Sequence, residues 1–171
     1  MAKIEWSESL SMGVAELDAH HKEILRIMSM LLDALNRGKD EDAITLLLSK
    51  LREYTLFHFA AEEAFMKQIE FPERRKHIAR HVELKRKVKA FQYARFHHEE
   101  LTSEDYKKFL SAWLLEHILD YDFKIIKYLQ ERKVAPDSLK DEGKAILDKV
   151  ESEVSEDKKD QDEEDTKTEN S

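Results

Sequence analysis

The sequence predicts an all-α protein: an up-down-up-down antiparallel four-helix bundle with an N-terminal arm and a disordered acidic C-terminal tail. Three observations carry this. Apolar residues recur in steps of three and four along four successive stretches, the period of a helix with one buried face. Only three Gly and two Pro occur in 171 residues, too few turn formers for a sandwich or barrel of many short strands. The connections between the first and second stretches, and between the second and third, are short, which favours antiparallel neighbours.

The first helix comes after an extended arm, Ile4–Val14, and carries the stripe Leu17, His21, Ile24, Met28, Leu31, Leu35. Gly38 is its natural stop. The second opens near Asp40, a plausible N-cap, with Glu41 and Asp42 favourable in the first turn. Its stripe is Ile44, Leu47, Leu51, Tyr54, His58, Glu62, Phe65, Ile69. Pro72 starts the third helix, where a missing N–H costs nothing, and His77, His81, Leu84, Val88 and Phe91 form its stripe. Thr102 with Asp105 resembles a capping box opening the fourth, whose stripe is Tyr106, Leu110, Trp113, His117, Tyr121. Residues 1–135 are thus read as the bundle. In 136–171, the spacing of Leu139, Gly143, Ile146 and Val150 after Pro136 suits either a short amphipathic helix or fraying into the acidic tail.

Composition sets outer limits. Without cysteine there is no disulfide framework, thiolate metal site or cysteine nucleophile. The longest apolar runs are too short to span a membrane, and Met1–Trp6 lacks the apolar core of a signal peptide, so a soluble cytoplasmic protein is expected. Residues 151–171 hold ten acidic side chains against three lysines, and so carry −7 of the total charge of −8. Val154 is their one aliphatic residue, too little to offset the entropy of ordering. They read as a solvating tail, with an interaction tail as the alternative. Neither part of the chain shows the basic stripe usual in a nucleic-acid binder.

The stripes carry histidines where leucines belong. His21, His58, His77, His81 and His117 all lie on inward positions, with Glu62 beside them. One such histidine is commonly a hydrogen-bonded core residue. Five are not, because each buried polar group without a good partner costs ~1–3 kcal/mol against a net domain stability of ~5–15 kcal/mol. A metal uses those lone pairs. His77 and His81, like His58 and Glu62, are separated by four residues, so each pair projects from one helix face. Antiparallel threading brings His21, His58, His77 and His117 to one level.

These residues resemble the hemerythrins, in particular the single-domain bacterial ones, over about residues 4–132. The matching pieces are Asp18-Ala-His-His21-Lys, His58-Phe-Ala-Ala-Glu62-Glu-Ala-Phe-Met66, Phe71-Pro72, His77-Ile-Ala-Arg-His81 and Trp113-Leu-Leu-Glu-His117-Ile-Leu-Asp-Tyr-Asp122. His20 and Phe71 depart from the commoner Gln and Tyr, and 137–171 has no counterpart in the minimal domain. The resemblance implies two non-haem irons (Fe2+/Fe3+). His77, His81 and His117 would hold one, His21 and His58 the other, and Glu62, Asp122 and an oxo or hydroxo group would bridge them. One point conflicts with spacing. Five residues along an ideal helix turn Asp122 ~140° from His117, whereas Asp120 would be ~60° away. The family pattern selects Asp122, which requires a local distortion such as a π-bulge or ligands that approach from different sides.

On that ligand set, five imidazoles, two bridging carboxylates and one oxygen bridge fall one bond short of two octahedra, leaving the two-histidine iron one open position. Two carboxylates are few beside the four Glu and two His of di-iron carboxylate bundles, which suits reversible binding of O2 over its activation. The expected function is a non-enzymatic O2-binding protein for storage or delivery to oxygen-requiring enzymes, with NO or azide as other small ligands. An oxygen or redox sensor is the alternative. A di-iron oxidase or peroxidase ranks below it for want of a further inward carboxylate, and iron storage or another metal ranks low as well. Leu114, Trp113 and Met28 are the candidate ligand-pocket residues, and plain bundle core explains Met28 and Trp113 equally well. His97 and His98 are expected at the surface, and His20 at the surface or beside the ligands.

Overall fold

The computed structural model describes residues 5–38, 41–97, 101–111 and 116–132. A 3-10 turn at Glu8–Leu10 precedes α1 (Ala15–Asn36), α2 (Glu41–Gln68), α3 (Arg74–Phe96), α4 (Ser103–Leu110) and α5 (Phe123–Glu131). A π-helical segment, Ile118–Asp122, leads directly into α5. No strand occurs among the described residues. α1 packs against α2 and α4, and α2 also packs against α3. Among the described residues the fourth rod of the bundle is built from α4, the π segment and α5, and the π segment is one of the local distortions that pairing His117 with Asp122 calls for. Among the described residues no helix is long and apolar enough to cross a membrane.

Local chemistry sets the ends. α1 stops where Gly38 adopts φ +60°, the left-handed conformation that glycine takes without a Cβ clash. α2 ends in a paired-bond cap: Phe71 N–H donates to the Met66 carbonyl (2.9 Å) and Glu70 N–H to that of Lys67 (3.3 Å). Glu70 stands in the left-handed position at φ 52°, a place usually given to glycine. The chain then needs Pro72 and Glu73 to turn, so α3 begins at Arg74, two residues later than Pro72 would place it. Thr102 and Asp105 form the reciprocal capping box of α4. α1 has no side-chain cap. Asp18 instead ties the arm to it, accepting from Met12 N–H (2.6 Å) and Ser11 Oγ (2.5 Å).

The interior is layered. A larger apolar cluster holds Ile24, Met28, Leu31, Leu51, Leu84, Val88, Tyr106, Leu110 and Ile118. A smaller one holds Met12, Val14, Leu17, Phe65, Met66, Phe71, Ile125 and Leu129. The histidines and carboxylates of the four rods lie where the two clusters meet, so the polar layer has hydrocarbon on both sides. The predicted stripes are buried at these positions, with Leu35, Leu47, Tyr54, Ile69, Phe91 and Tyr121 half-buried at the margins. Asp40, His98, Trp113, Leu114 and the whole of 136–171 lie outside the described residues.

Candidate metal centre

Each rod delivers its donors one helical turn from a cluster. α1 places His21 one turn beyond Leu17. α2 presents His58 and Glu62 one turn apart, and α3 does the same with His77 and His81. The fourth rod supplies His117 and Asp122. All seven side chains are between 0% and 2% exposed. They gather into two groups of mutually close donor atoms: Glu62, His77, His81 and His117 in one, and His21, His58 and Asp122 in the other.

The rings meet nitrogen to nitrogen. His77 Nε2 is 3.3 Å and His81 Nε2 is 3.0 Å from His117 Nε2, and His21 Nε2 is 3.1 Å from His58 Nε2. Asp122 spans the two groups: Oδ1 lies 3.0 Å from His117 Nε2 and 3.1 Å from His77 Nε2, whereas Oδ2 lies 3.3 Å from His21 Nε2. Glu62 Oε2 lies 3.0 Å from His81 Nε2 and 3.3 Å from His77 Nε2.

This donor set fits a metal better than it fits itself. Two imidazole nitrogens bound at right angles to one first-row ion at ~2.1 Å stand ~3.0 Å apart, close to the spacing here. His81 donates its Nδ1 proton to Glu63 Oε1 (2.9 Å), so a neutral His81 presents a bare lone pair at Nε2. Glu62 Oε2 and both oxygens of Asp122 approach imidazoles, yet neither these nor Glu62 Oε1 make an aligned hydrogen bond, and among the described residues Nδ1 of His21, His58 and His117 has no side-chain or backbone partner. Buried acceptors crowded in this way require positive charge among them.

Without metal, protons supply that charge. Burial disfavours the cationic form of His77 and His117, but the adjacent Asp122 and Glu62 carboxylates outweigh it and raise both to about 9. Burial likewise opposes ionisation of Glu62, yet His117, His77 and His81 hold it well below the usual carboxylate range. Asp122 is held low by His117 and His21 against both burial and the charge of Glu62. His58 moves the other way, pushed down by burial and by His21.

Other residues frame the centre. Phe59 stacks on His81 (centroids 3.8 Å apart, planes 10° apart) and Tyr121 lies parallel to His117 (5.6 Å, 17°). Glu63, which sequence reasoning missed, fixes the His81 ring. The signal available was chemical, since a ligand histidine needs an acceptor at its other nitrogen. Asp18 was missed too, and its role appears only once the arm folds back. Of the two places expected for His20, the structure has the one beside the ligands: it is 6% exposed and packs against Phe57 and edge-on to His58 because α1 and α2 touch on that side. Burial, then repulsion from His21, lowers it to about 4. Met28 lies wholly within the larger apolar cluster, and His97 is exposed as expected.

Residues 12–129 match the model of the hemerythrin HHE cation binding domain. The chain is 34% identical over 122 residues to a bacteriohemerythrin of Pseudomonas paraeruginosa, covering 71% of this chain and 78% of that protein. It is 25% identical over 121 residues to one from Clostridium acetobutylicum, covering 68% and 94%. A crystal structure of a hemerythrin variant superposes with a TM-score of 0.66 at 26% identity, covering 72% of this chain and 94% of that one. With a layer of buried histidines and carboxylates able to hold metal, and with this match over most of its length, the chain belongs to the hemerythrin family of di-iron proteins.

Proposed function

We propose that this chain binds O2 reversibly at a non-haem di-iron centre, for storage or for delivery to oxygen-requiring proteins, and that it is not itself an enzyme. The observation behind this reading is the donor set: five imidazoles and only two carboxylates, buried and divided three to two. His77, His81 and His117 would hold one iron and His21 and His58 the other, with Glu62 and Asp122 shared between them. Two irons bound by these residues would supply reversible electron donation to a small diatomic ligand.

The protein's own residues limit the chemistry open to such a centre. The two apolar clusters keep water from the layer, which protects a reduced centre. Glu63 keeps the proton of His81 on Nδ1 and so keeps Nε2 free for metal. A general base is the missing ingredient for turnover. Among the described residues, two carboxylates close to the ligands are already engaged: Asp18 with the arm and Glu63 with His81 and Lys85.

Anaerobic reduction and then air exposure test the reading. A visible charge-transfer band should appear with O2 and fade on degassing, in protein holding two irons per chain. An irreversible change to the ferric spectrum would overturn carriage, and iron content far below two would overturn the centre.

A further inference from the structure

The near-neutral charge of residues 1–150 hides a sharp segregation, which corrects the expectation that neither part of the chain carries a basic stripe. α3 carries nine Lys and Arg against the single acidic Glu83, a net +8. Between α3 and α2 lie two adjoining depressions of about 300 and 500 Å³ that share Arg52 and Lys89. Lys85, Arg86 and Arg95 complete their basic lining. Some of this charge is met locally: Lys85 by Glu63 at 3.6 Å, Arg95 by Glu41 at 3.7 Å, and Lys87 by Glu83 at 3.1 Å. The same groove gathers four of the seven large apolar residues exposed among the described residues: Leu56, Val82, Tyr93 and Phe96, the last 79% exposed. Its occupant should therefore be both acidic and partly apolar.

Such a segment exists in this chain. Leu139, Ile146, Leu147 and Val150 precede the stretch 151–171, whose charge is −7. The geometry of departure suits it. At the end of α5, Tyr128 Oη donates to the Ile69 and Glu70 carbonyls and Arg132 Nη1 lies 3.5 Å from Ile69 O. The chain thus leaves the bundle at the α2–α3 turn, at the foot of the two helices that form the groove. Val82 and Phe96 lie ~12 and ~33 Å along α3 from Arg74. An unstructured chain of 39 residues, the number that follow Arg132, has a root-mean-square reach of ~35 Å, and tethering supplies a millimolar-range effective concentration.

We propose that residues 139–171 dock in the groove between α2 and α3 of their own chain, with the apolar residues covering Leu56, Val82, Tyr93 and Phe96 and the acidic stretch lying along Arg52, Arg86 and Lys89. The contact is electrostatic in large part and so depends on salt. It does not depend on the reading of the metal centre.

Carbodiimide coupling of the full chain, mixed from isotopically light and heavy protein, reads the contact directly because it joins only touching amines and carboxylates. Lys85 and Lys89 should couple to acidic residues of 151–171 within one chain at low salt. The yield should fall several-fold in 1 M NaCl and in the Arg52→Glu/Arg86→Glu variant, whose helicity by circular dichroism verifies folding; if that variant does not fold, the salt series alone decides. Coupling spread equally to Lys124 and Lys127 would overturn the proposal. So would coupling between light and heavy chains, which would make the groove an interface between copies. Absence of coupling, with a labelled single-stranded oligonucleotide bound by the full chain at 0.15 M salt, would assign the groove to nucleic acid instead.

Discussion

His117 and Asp122 are five residues apart, yet Nε2 of the first lies 3.0 Å from Oδ1 of the second. A regular α-helix would turn them ~140° apart. The π segment removes the conflict: Phe123 N–H reaches the Ile118 carbonyl five residues back, and widening the turn brings residues at that spacing onto one face. Asp120 is left exposed and Asp122 fully buried. Asp120→Asn should therefore keep the wild-type iron content, whereas Asp122→Asn should lose most of it, as metal analysis of the two purified variants will read. Loss of iron from Asp120→Asn would reassign the carboxylate.

Glu63 acts on metal through His81. Its carboxylate is kept ionised against the cost of partial burial by His81 and Lys85. Glu63→Gln removes the charge that orients the ring and strengthens its lone pair, so iron affinity should fall ~10–100-fold with the fold intact. Competition with a chelator measures this, and Glu63→Asp should recover part of the loss.

The metal-free protein and the loaded one should respond oppositely to pH. His77 and His117 have folded-state values raised to about 9 from 6.5. Their contribution to apoprotein stability is complete below about pH 6.5 and lost as pH rises through about 9. Metal binding needs the same nitrogens deprotonated. Apparent metal affinity should thus increase from pH 7 to 9 while apoprotein stability decreases, and loading at pH 7 should release protons. Calorimetry in buffers of different ionisation enthalpy counts them.

Asp18 is the side chain that hydrogen-bonds the arm to α1. Asp18→Ala would strand Met12 N–H and free Ser11, at a cost of ~1–3 kcal/mol seen in denaturant titration. Asp18→Asn, which retains an acceptor, should cost less. Iron content should change little, because Asp18 touches the arm and not the ligand layer.

How far the sequence reaches differs from residue to residue. The period of the stripes and the histidines set within them require four rods with a polar layer, because side chains three and four apart share a helix face whatever the neighbours are. The i, i+4 pairs His58/Glu62 and His77/His81 were legible for that reason, as was the Thr102–Asp105 cap. The choice of Asp122 over Asp120 was not legible from spacing, because it depends on a local change of helical pitch. Nor were the burial of His20 or the bond from Glu63 to His81. Those arise where separate helices meet, and a one-dimensional pattern fixes which face a residue shares but not what stands across from it.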